Sequence, residues 1–225
     1  MKILLSWSSG KDSAWALHVL NRTHPGAIAA LLTTVNSEAE RVAMHGVRRE
    51  LVQAQALAAG LPLWEVPIPS PCPNGIYEER MRGACGRAVA EGFTHVAFGD
   101  LFLDDVRRYR EERLAGTGLS PLFPLWGLPT RELAREMIAG GLRARVSVVD
   151  SRILDGAFAG REFDETFLRD LPPHVDPCGE KGEFHTFAHA GPMFRTSIDI
   201  HTGEVVIRDP FVFIDLCPTR AASSV

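Results

Sequence analysis

The chain has 225 residues, of which 45% are hydrophobic and 23% are charged, and its formal net charge is −4 at pH 7. This balance is typical of a globular α/β protein and gives no electrostatic reason for sequence-blind nucleic-acid binding. The four cysteines are widely spaced, which favours a reduced, cytoplasmic setting over a disulfide framework. No apolar run approaches the roughly 18 residues that cross a bilayer, so we expect no membrane partner.

The chain opens with a short apolar run, a polar turn and a helical pattern. We predict a buried strand at residues 3–5, then a turn, then a helix. A turn that points backbone N–H groups and the positive end of a helix at one spot is suited to phosphate. Gly10 should relieve the backbone there, and Lys11 should add a mobile charge. The expected phosphate ligands are Ser8, Ser9, Gly10, Lys11, Asp12 and Ser13.

Further apolar runs alternate with helical stripes and predict a parallel sheet. The runs lie at residues 27–35, 63–68, 94–98 and 145–149, each after a segment of helical periodicity. Strands separated by helices predict an α/β fold with a doubly wound, five-stranded parallel sheet. The segment 121–126, rich in proline, is interpreted as an apolar loop.

The pattern changes after residue 150. Two short runs around Thr202-Gly203 predict a β-hairpin, and residues 211–214 predict a further strand. We therefore divide the chain into a larger domain, 1–150, and a smaller C-terminal α+β module, 151–225.

Several polar residues lie where the predicted strands end, which is where open parallel sheets bind ligands. Thr33, Gly99 and Asp100 are at such ends. Asp100 either faces the crevice or caps its own turn. Asp12 either orients Lys11, holds a metal ion bound to phosphates, or is a first-turn acid that favours the helix dipole.

Arginines occur in two places that could bind phosphate. Arg48, close to His45, could reach phosphate or adenine through its planar fork, or lie on the surface. Residues 105–113 hold four arginines, including Arg107 and Arg110, interleaved with acids. This segment is either a solvated helix with i,i+4 ion pairs or a lid whose arginines close on phosphates.

A glycine-rich segment at residues 176–187 contains Cys178 and two acids, Glu180 and Glu183. Glycines allow the backbone to approach a ligand closely. Cys178 with His185 and His189 could bind zinc or act as a catalytic Cys–His pair, although a buried, inert thiol is the simplest interpretation.

The first turn, Ser-Ser-Gly-Lys-Asp-Ser, resembles the PP-loop of the ATP pyrophosphatases, Ser-Gly-Gly-Lys-Asp-Ser, with Ser9 in place of the first glycine. Its spacing is not that of the Walker P-loop. Four later motifs complete a resemblance to short, bacterial-type members of the diphthine–ammonia ligase family over essentially the whole chain. They are Gly99-Asp-Leu101, Arg107-x-x-Arg110, Pro124-Leu-Trp126 and Cys178-Gly-Glu-x-Gly-Glu-Phe-x-Thr186.

This resemblance implies a PP-loop (HUP-type) fold and an ATP-dependent, AMP-forming amide ligase. Such an enzyme adenylates the carboxylate of diphthine and releases AMP when ammonia attacks. The implied cofactors are ATP and Mg²⁺, and we place the ion provisionally at Asp12. The implied partners are ATP, ammonia and a carboxylate acceptor, either on a protein or a small molecule. The sequence is compatible with a homo-oligomer.

The site residues are assigned accordingly. The catalytic group comprises Lys11, Asp12, Asp100 and Glu183. Thr33, Arg48 and Gly99 join the PP-loop residues around ATP. The acceptor side comprises Arg107, Arg110, Cys178, Gly179, Glu180, Gly182 and Glu183.

Two other functions stay open. A PP-loop enzyme that modifies tRNA would usually show paired catalytic cysteines and a basic RNA-binding face. A regulatory module that binds nucleotide without turnover would usually carry its phosphate loop later in the chain. The products of ATP turnover separate these alternatives from a ligase.

Overall fold

The computed structural model describes residues 1–43 and 45–219, so the last residues of the predicted C-terminal module, 220–225, lie outside the described part. Its helices are α1 Lys11–Thr23, α2 Arg49–Ala59, α3 Asn74–Ala90, α4 Asp104–Leu114, α5 Thr130–Ala139 and α6 Glu165–Asp170, with a short 3-10 helix at Gly156–Phe158. Its strands are β1 Ile3–Ser6, β2 Ile28–Asn36, β3 Arg41–Val42, β4 Leu63–Ile68, β5 His95–Ala97, β6 Ser120–Leu122, β7 Arg143–Asp150, β8 Phe184–Ala190, β9 Ile200–Arg208 and β10 Phe211–Pro218.

The first sheet contains five parallel strands in the order β4-β2-β1-β5-β6, and β3 pairs antiparallel with the end of β2. Helices cover both faces. Side chains of α1, α2 and α5 belong to one buried cluster, whereas Ala88 of α3 and Leu114 of α4 belong to another. The predicted α/β class and doubly wound parallel sheet are therefore confirmed. After β1 the chain adds β2 and then β4 on one side of β1, and it later adds β5 and β6 on the other side. The order of strands therefore reverses between β1 and β5.

The fifth parallel strand is not the predicted one. It is β6, in the segment that we expected to be an apolar loop, whereas residues 145–149 belong to β7 in a second sheet. β6 has only three residues, and Pro121 is tolerated because the strand lies at the sheet edge. β7 is buried on both faces over most of its length, which is the pattern expected of a parallel strand.

The second sheet is antiparallel, in the order β8-β7-β10-β9. Its hairpin joins β9 to β10 through Asp209-Pro210, so the predicted turn at Thr202-Gly203 is wrong. β9 runs straight through Gly203, where two of its residues lie opposite one residue of β10. The glycine signal marks a β-bulge, since bulges and turns favour the same residue.

One large core joins the two sheets. The same buried cluster contains Leu5 of β1, Leu51 of α2, Val146 of β7, Phe187 of β8 and Ile214 of β10. The division at residue 150 stays a prediction, although the second sheet takes β7 from before that point. In the described part of the chain, no helix is both long enough and apolar enough to cross a bilayer.

Gly99 allows the end of β5 to pack against the first turn of α1. A Cβ atom at this position would lie 3.0 Å from the carbonyl carbon of Asp12 and 3.0 Å from the amide nitrogen of Ser13. Because these are backbone atoms, the close contact can be relieved only if the first turn of α1 moves. We predict that Gly99→Ala destabilises the protein by about 1–3 kcal/mol in urea unfolding.

Gly83→Ala is the matched control. Gly83 lies within α3, and a Cβ there would meet no atom within 4 Å. That substitution should stabilise the protein by about 0.4–1 kcal/mol, because it restricts only the unfolded chain. If the two variants had equal stability, the contact at Gly99 would not be tight.

Candidate functional site

A cavity of about 490 Å³ lies at the carboxyl ends of β1, β2 and β5. Ser8, Thr33 and Phe98 contribute to the wall that the sheet provides, and Tyr77 and Met81 of α3 close the other side. The cavity lies beside the β1–β5 junction, where the strand order reverses and where ligands of such sheets bind. Its mixture of aromatic, aliphatic and polar groups suits a nucleoside.

Three arginines line the same cavity: Arg82, Arg110 and Arg113. Arg113 pairs with Glu78 at 2.8 Å. Arg110 donates to both carboxylate oxygens of Asp100, and its guanidinium lies 4.4 Å from the centre of the Phe98 ring. Arg110, which we had assigned to the acceptor side, therefore lines this cavity, and Asp100 is in direct contact with Arg110.

The hydroxyls of the PP-loop brace the loop itself. The Ser8 hydroxyl accepts from the Gly10 amide at 3.3 Å and lies 3.2 Å from the Ser13 hydroxyl, which donates to the Gly10 carbonyl at 3.0 Å. Ser8 also lines the cavity. The expected phosphate donors are thus close to the cavity and already organised by one another.

The residue of this loop with a left-handed backbone conformation is Ser9, not Gly10. Ser9 is buried with φ 71°, in the left-handed region that glycine favours, whereas Gly10 has φ −83°. Gly10 is needed for space: a Cβ there would lie 3.2 Å from the Thr186 carbonyl oxygen and 3.3 Å from His45. Our expectation of a relaxed backbone at Gly10 is corrected accordingly.

Strand β8 and α2 hold the PP-loop in place. The Ser9 carbonyl accepts from the Ala188 amide and from the Gln55 side chain, both at 2.9 Å. Gln55 also donates to the Ala188 carbonyl and accepts from the Trp7 indole. The Lys11 amide donates to the Thr186 hydroxyl at 3.1 Å. This last bond occupies one of the N–H groups that we expected to face phosphate.

Lys11 is only 2% exposed, so the expectation of a mobile surface charge is wrong. Its ammonium donates to Asp12 at 2.9 Å and to the Cys178 carbonyl, with the Phe184 ring 5.4 Å away. Burial acts to lower the pKa of Lys11, but the Asp12 carboxylate and other nearby groups outweigh it, and the net pKa is raised. The lysine is therefore charged and connects the PP-loop to the Cys178 segment.

Asp12 has one carboxylate oxygen without a partner. Its Oδ2 atom binds Lys11, whereas its Oδ1 atom is buried and has no hydrogen bond. Burial raises the pKa of Asp12, against the opposing effect of Lys11. An unpartnered carboxylate oxygen beside a phosphate loop is a suitable ligand for Mg²⁺, which usually takes one or two carboxylates together with substrate phosphates. In the described part of the chain, no three His, Cys, Asp or Glu side chains are grouped to hold a metal ion alone.

Two predicted arginine ligands lie outside the cavity wall. Arg48 forms a two-fold contact with Asp215 of β10, with its shorter bond at 2.6 Å. Arg107 pairs with Glu111 at 2.8 Å and lies over the Trp126 ring. Neither guanidinium lines the cavity.

The glycine-rich loop at residues 178–183 is shaped by left-handed glycines and by Glu183. Gly179 and Gly182 have φ values of 67° and 86°. The buried Glu183 carboxylate accepts from the Asp176 amide at 3.1 Å and the Lys181 amide at 2.9 Å. Both oxygens are thus used inside the loop, which indicates a structural role for the residue that we assigned to catalysis.

Glu180 is the acid of this loop that contacts the segment following the carboxyl end of β5. Its carboxylate accepts from the Leu101 amide at 2.7 Å, directly after Asp100. Burial raises the pKa of Glu180 to about 7, with Asp12 and Asp100 adding to the effect. The carboxyl group can therefore exchange a proton near neutral pH.

Cys178 is buried, and its thiol donates to the Thr130 carbonyl. Burial raises the pKa of the thiol far above its ordinary value, so it is not a thiolate. Of the two histidines that we considered as its partners, His189 binds Glu162 at 2.6 Å, and the His185 ring contacts the His45 ring, with ring centres 4.5 Å apart. These contacts favour the inert thiol.

Among the cavity residues that were not predicted from the sequence are Tyr77, Met81 and Arg82. Tyr77 and Met81 lie four residues apart on α3 and so share one face of the helix. Their spacing was the available signal, but periodicity does not distinguish a face that covers the core from one that covers a cavity.

Two family models match the chain: the diphthamide synthase N-terminal domain over residues 1–116 and its C-terminal domain over residues 129–215. The chain belongs to the diphthamide synthase family. Three similar curated proteins are each named diphthine–ammonia ligase. The human and rat proteins are 34% identical over 124 residues, 52% of this chain and 46% of theirs. The zebrafish protein is 33% identical over 117 residues, 49% of this chain and 46% of its own.

The chain therefore spans about half the length of the curated family members that it matches. Among solved structures, the U34-tRNA thiolase NcsA from Methanococcus maripaludis, with its [4Fe-4S] cluster, has a TM-score of 0.39 and 18% identity. That comparison covers 61% of this chain and 56% of the thiolase, and nothing about the chemistry of this chain follows from it.

The raised pKa of Glu180 predicts a pH-dependent effect of Glu180→Gln. The folded pKa of about 7 exceeds the ordinary 4.5, so folding favours the protonated form. This contribution to stability is fully present below the ordinary pKa and is lost as pH rises through the folded value. The difference in Tm, variant minus wild type, should be more positive at about pH 8 than at about pH 5. A constant difference would contradict the shift.

Glu183→Gln should act on stability instead. The amide nitrogen of glutamine would face one of the two backbone N–H groups, leaving a buried donor unpaired at a cost of about 1–3 kcal/mol. Urea unfolding should show this loss. Glu79→Gln, on the exposed side of α3, is the control. Full wild-type stability of Glu183→Gln would contradict the structural role of Glu183.

Proposed function

We propose that this chain is an ATP-dependent, AMP-forming amide ligase that adenylates a carboxylate of the diphthine type and transfers the acyl group to ammonia. Membership of the diphthamide synthase family supports the reaction class. The observation that carries the proposal is the direct contact between the PP-loop and the Cys178 segment through the Lys11 ammonium. This contact joins the proposed nucleotide half to the proposed acceptor half of one site.

The reaction has two steps. A carboxylate oxygen attacks the α-phosphorus of ATP, the bond to the β-phosphate breaks, and pyrophosphate leaves. Ammonia then attacks the acyl carbon, AMP leaves, and the new amide loses a proton. The protein must hold the phosphates in line, keep water away from the acyl-adenylate and accept a proton. No protein nucleophile is required, which agrees with a buried Cys178 whose pKa is raised.

The side chains of the site suit these tasks. Arg82, Arg110 and Ser8 would contact the phosphates at the cavity. Mg²⁺, when bound to ATP, would neutralise phosphate charge, and Asp12 is the residue that would hold it. Glu180 is the group that we assign to accept a proton from ammonium or the amide, because a carboxyl group is most effective in proton transfer when its pKa is near the working pH.

Product analysis tests the reaction. The protein would be incubated with ATP, Mg²⁺, ammonium and an elongation factor 2 that carries diphthine. We expect AMP and pyrophosphate in equal amounts, together with amide on the factor. ADP would contradict the adenylation step, and an absence of turnover despite ATP binding would indicate a regulatory module. AMP formed only with tRNA as acceptor would indicate a tRNA-modifying enzyme.

Asp12→Asn should reduce AMP formation by about 100-fold or more, because it removes the carboxylate charge that would hold Mg²⁺ beside the phosphates. Asp105→Asn, in the exposed first turn of α4, is the control and should retain wild-type turnover. Circular dichroism must confirm that the Asp12 variant is folded, since Lys11 loses its partner. A folded Asp12→Asn protein with wild-type turnover would contradict the assigned role.

A further inference from the structure

Strand β9 lies at the edge of the second sheet, and among the described residues only β10 pairs with it. Its apolar residues Val205, Val206 and Ile207 are 60%, 37% and 73% exposed. Three consecutive apolar side chains on an open strand edge are unusual, because such edges are normally protected by charge, by proline or by a covering element. This pattern is typical of an edge strand that pairs with a strand of another chain.

The free edge of β9 has a defined register. Arg208 pairs with Phe211 across the two-residue turn that joins β9 to β10, and Val206 pairs with Phe213. In an antiparallel pair joined by such a turn, the flanking residues exchange backbone hydrogen bonds and alternate residues point away. The N–H and C=O groups of Val205 and Ile207 therefore point to the free edge.

We propose that a second copy of this chain pairs with β9 through its own β9, antiparallel and centred on Val206. This register places Val205 opposite Ile207 of the second copy. The N–H and C=O groups of these two residues, which point to the free edge, can then form hydrogen bonds between the copies. The register also places Glu204 opposite Arg208 of the second copy, and the two-fold axis repeats the pair. No other antiparallel register about a residue of this segment pairs both charges.

The side chains on both faces of β9 are compatible with a second copy of the chain at its free edge. Val205 and Ile207 lie beside Ile214 and Val212, so they extend the apolar layer of the core beyond the edge of one copy. On the other face, the Arg208 guanidinium lies 5.9 Å from the Phe213 ring, and in the proposed register Arg208 is opposite Glu204 of the second copy. Within one chain, Glu204 and Arg208 are four residues apart on an extended strand, too far to pair with each other.

Charge exchange tests the proposal. Light scattering at about 1–100 μM should show a dimer of the wild-type chain. Arg208→Glu and Glu204→Arg should each weaken dimerisation at least about tenfold, because like charges would face each other. The double variant should restore it. Arg135→Glu, on an exposed face of α5, is the matched control and should remain dimeric.

Cysteine cross-linking tests the register. Val206→Cys should form a disulfide between copies on mild oxidation, because the two residues face each other across the axis. Val205→Cys should cross-link poorly, since it faces Ile207, and the wild-type chain controls for its own cysteines. A monomeric wild type, dimers that ignore both single charge changes, or a double variant that stays monomeric would overturn the proposal. Preferential cross-linking at residue 205 would overturn the register.

Discussion

The site depends on the hydrogen bonds that attach β8 to the PP-loop. The Ser9 carbonyl accepts from both Ala188 and Gln55, and the Lys11 amide donates to Thr186. The bonds made by Ala188 and Thr186 come from a strand about 175 residues later in the chain. They hold Ser9 in a backbone conformation that a serine does not favour, so that the loop is shaped before any ligand arrives. Preorganisation of this kind reduces the conformational cost of binding.

The two acids of the glycine-rich loop have similar sequence surroundings but different contacts in the structure. Glu183 accepts from two amides of its own loop, whereas Glu180 accepts from Leu101 at the end of the parallel sheet. The sequence places both among glycines and does not distinguish them. Burial raises the pKa of Glu180, and Asp12 and Asp100 add to this effect from elements distant in sequence. Lys11 is a similar case, because its burial depends on Phe163 and Phe184.

Local patterns predicted the parts of the fold that local physics determines. The strand, turn and helix at the start of the chain agree with β1, the PP-loop and α1, and the alternation of strands and helices gave the doubly wound class. The sheet to which β7 belongs was missed, because double-sided burial is common to central strands of both sheet types. The contact of Arg48 was not predictable, since its partner Asp215 lies 167 residues later in the chain.

The core shared by the two sheets has a consequence for how the molecule comes apart. Separate family models match the two halves, yet Leu5, Val146, Phe187 and Ile214 lie in one buried cluster. Losing either sheet would expose the apolar surface of the other, and the PP-loop would lose its attachment to β8. The two halves should therefore behave as one cooperative unit, with a single transition in calorimetry and a common slow class of exchanging amides.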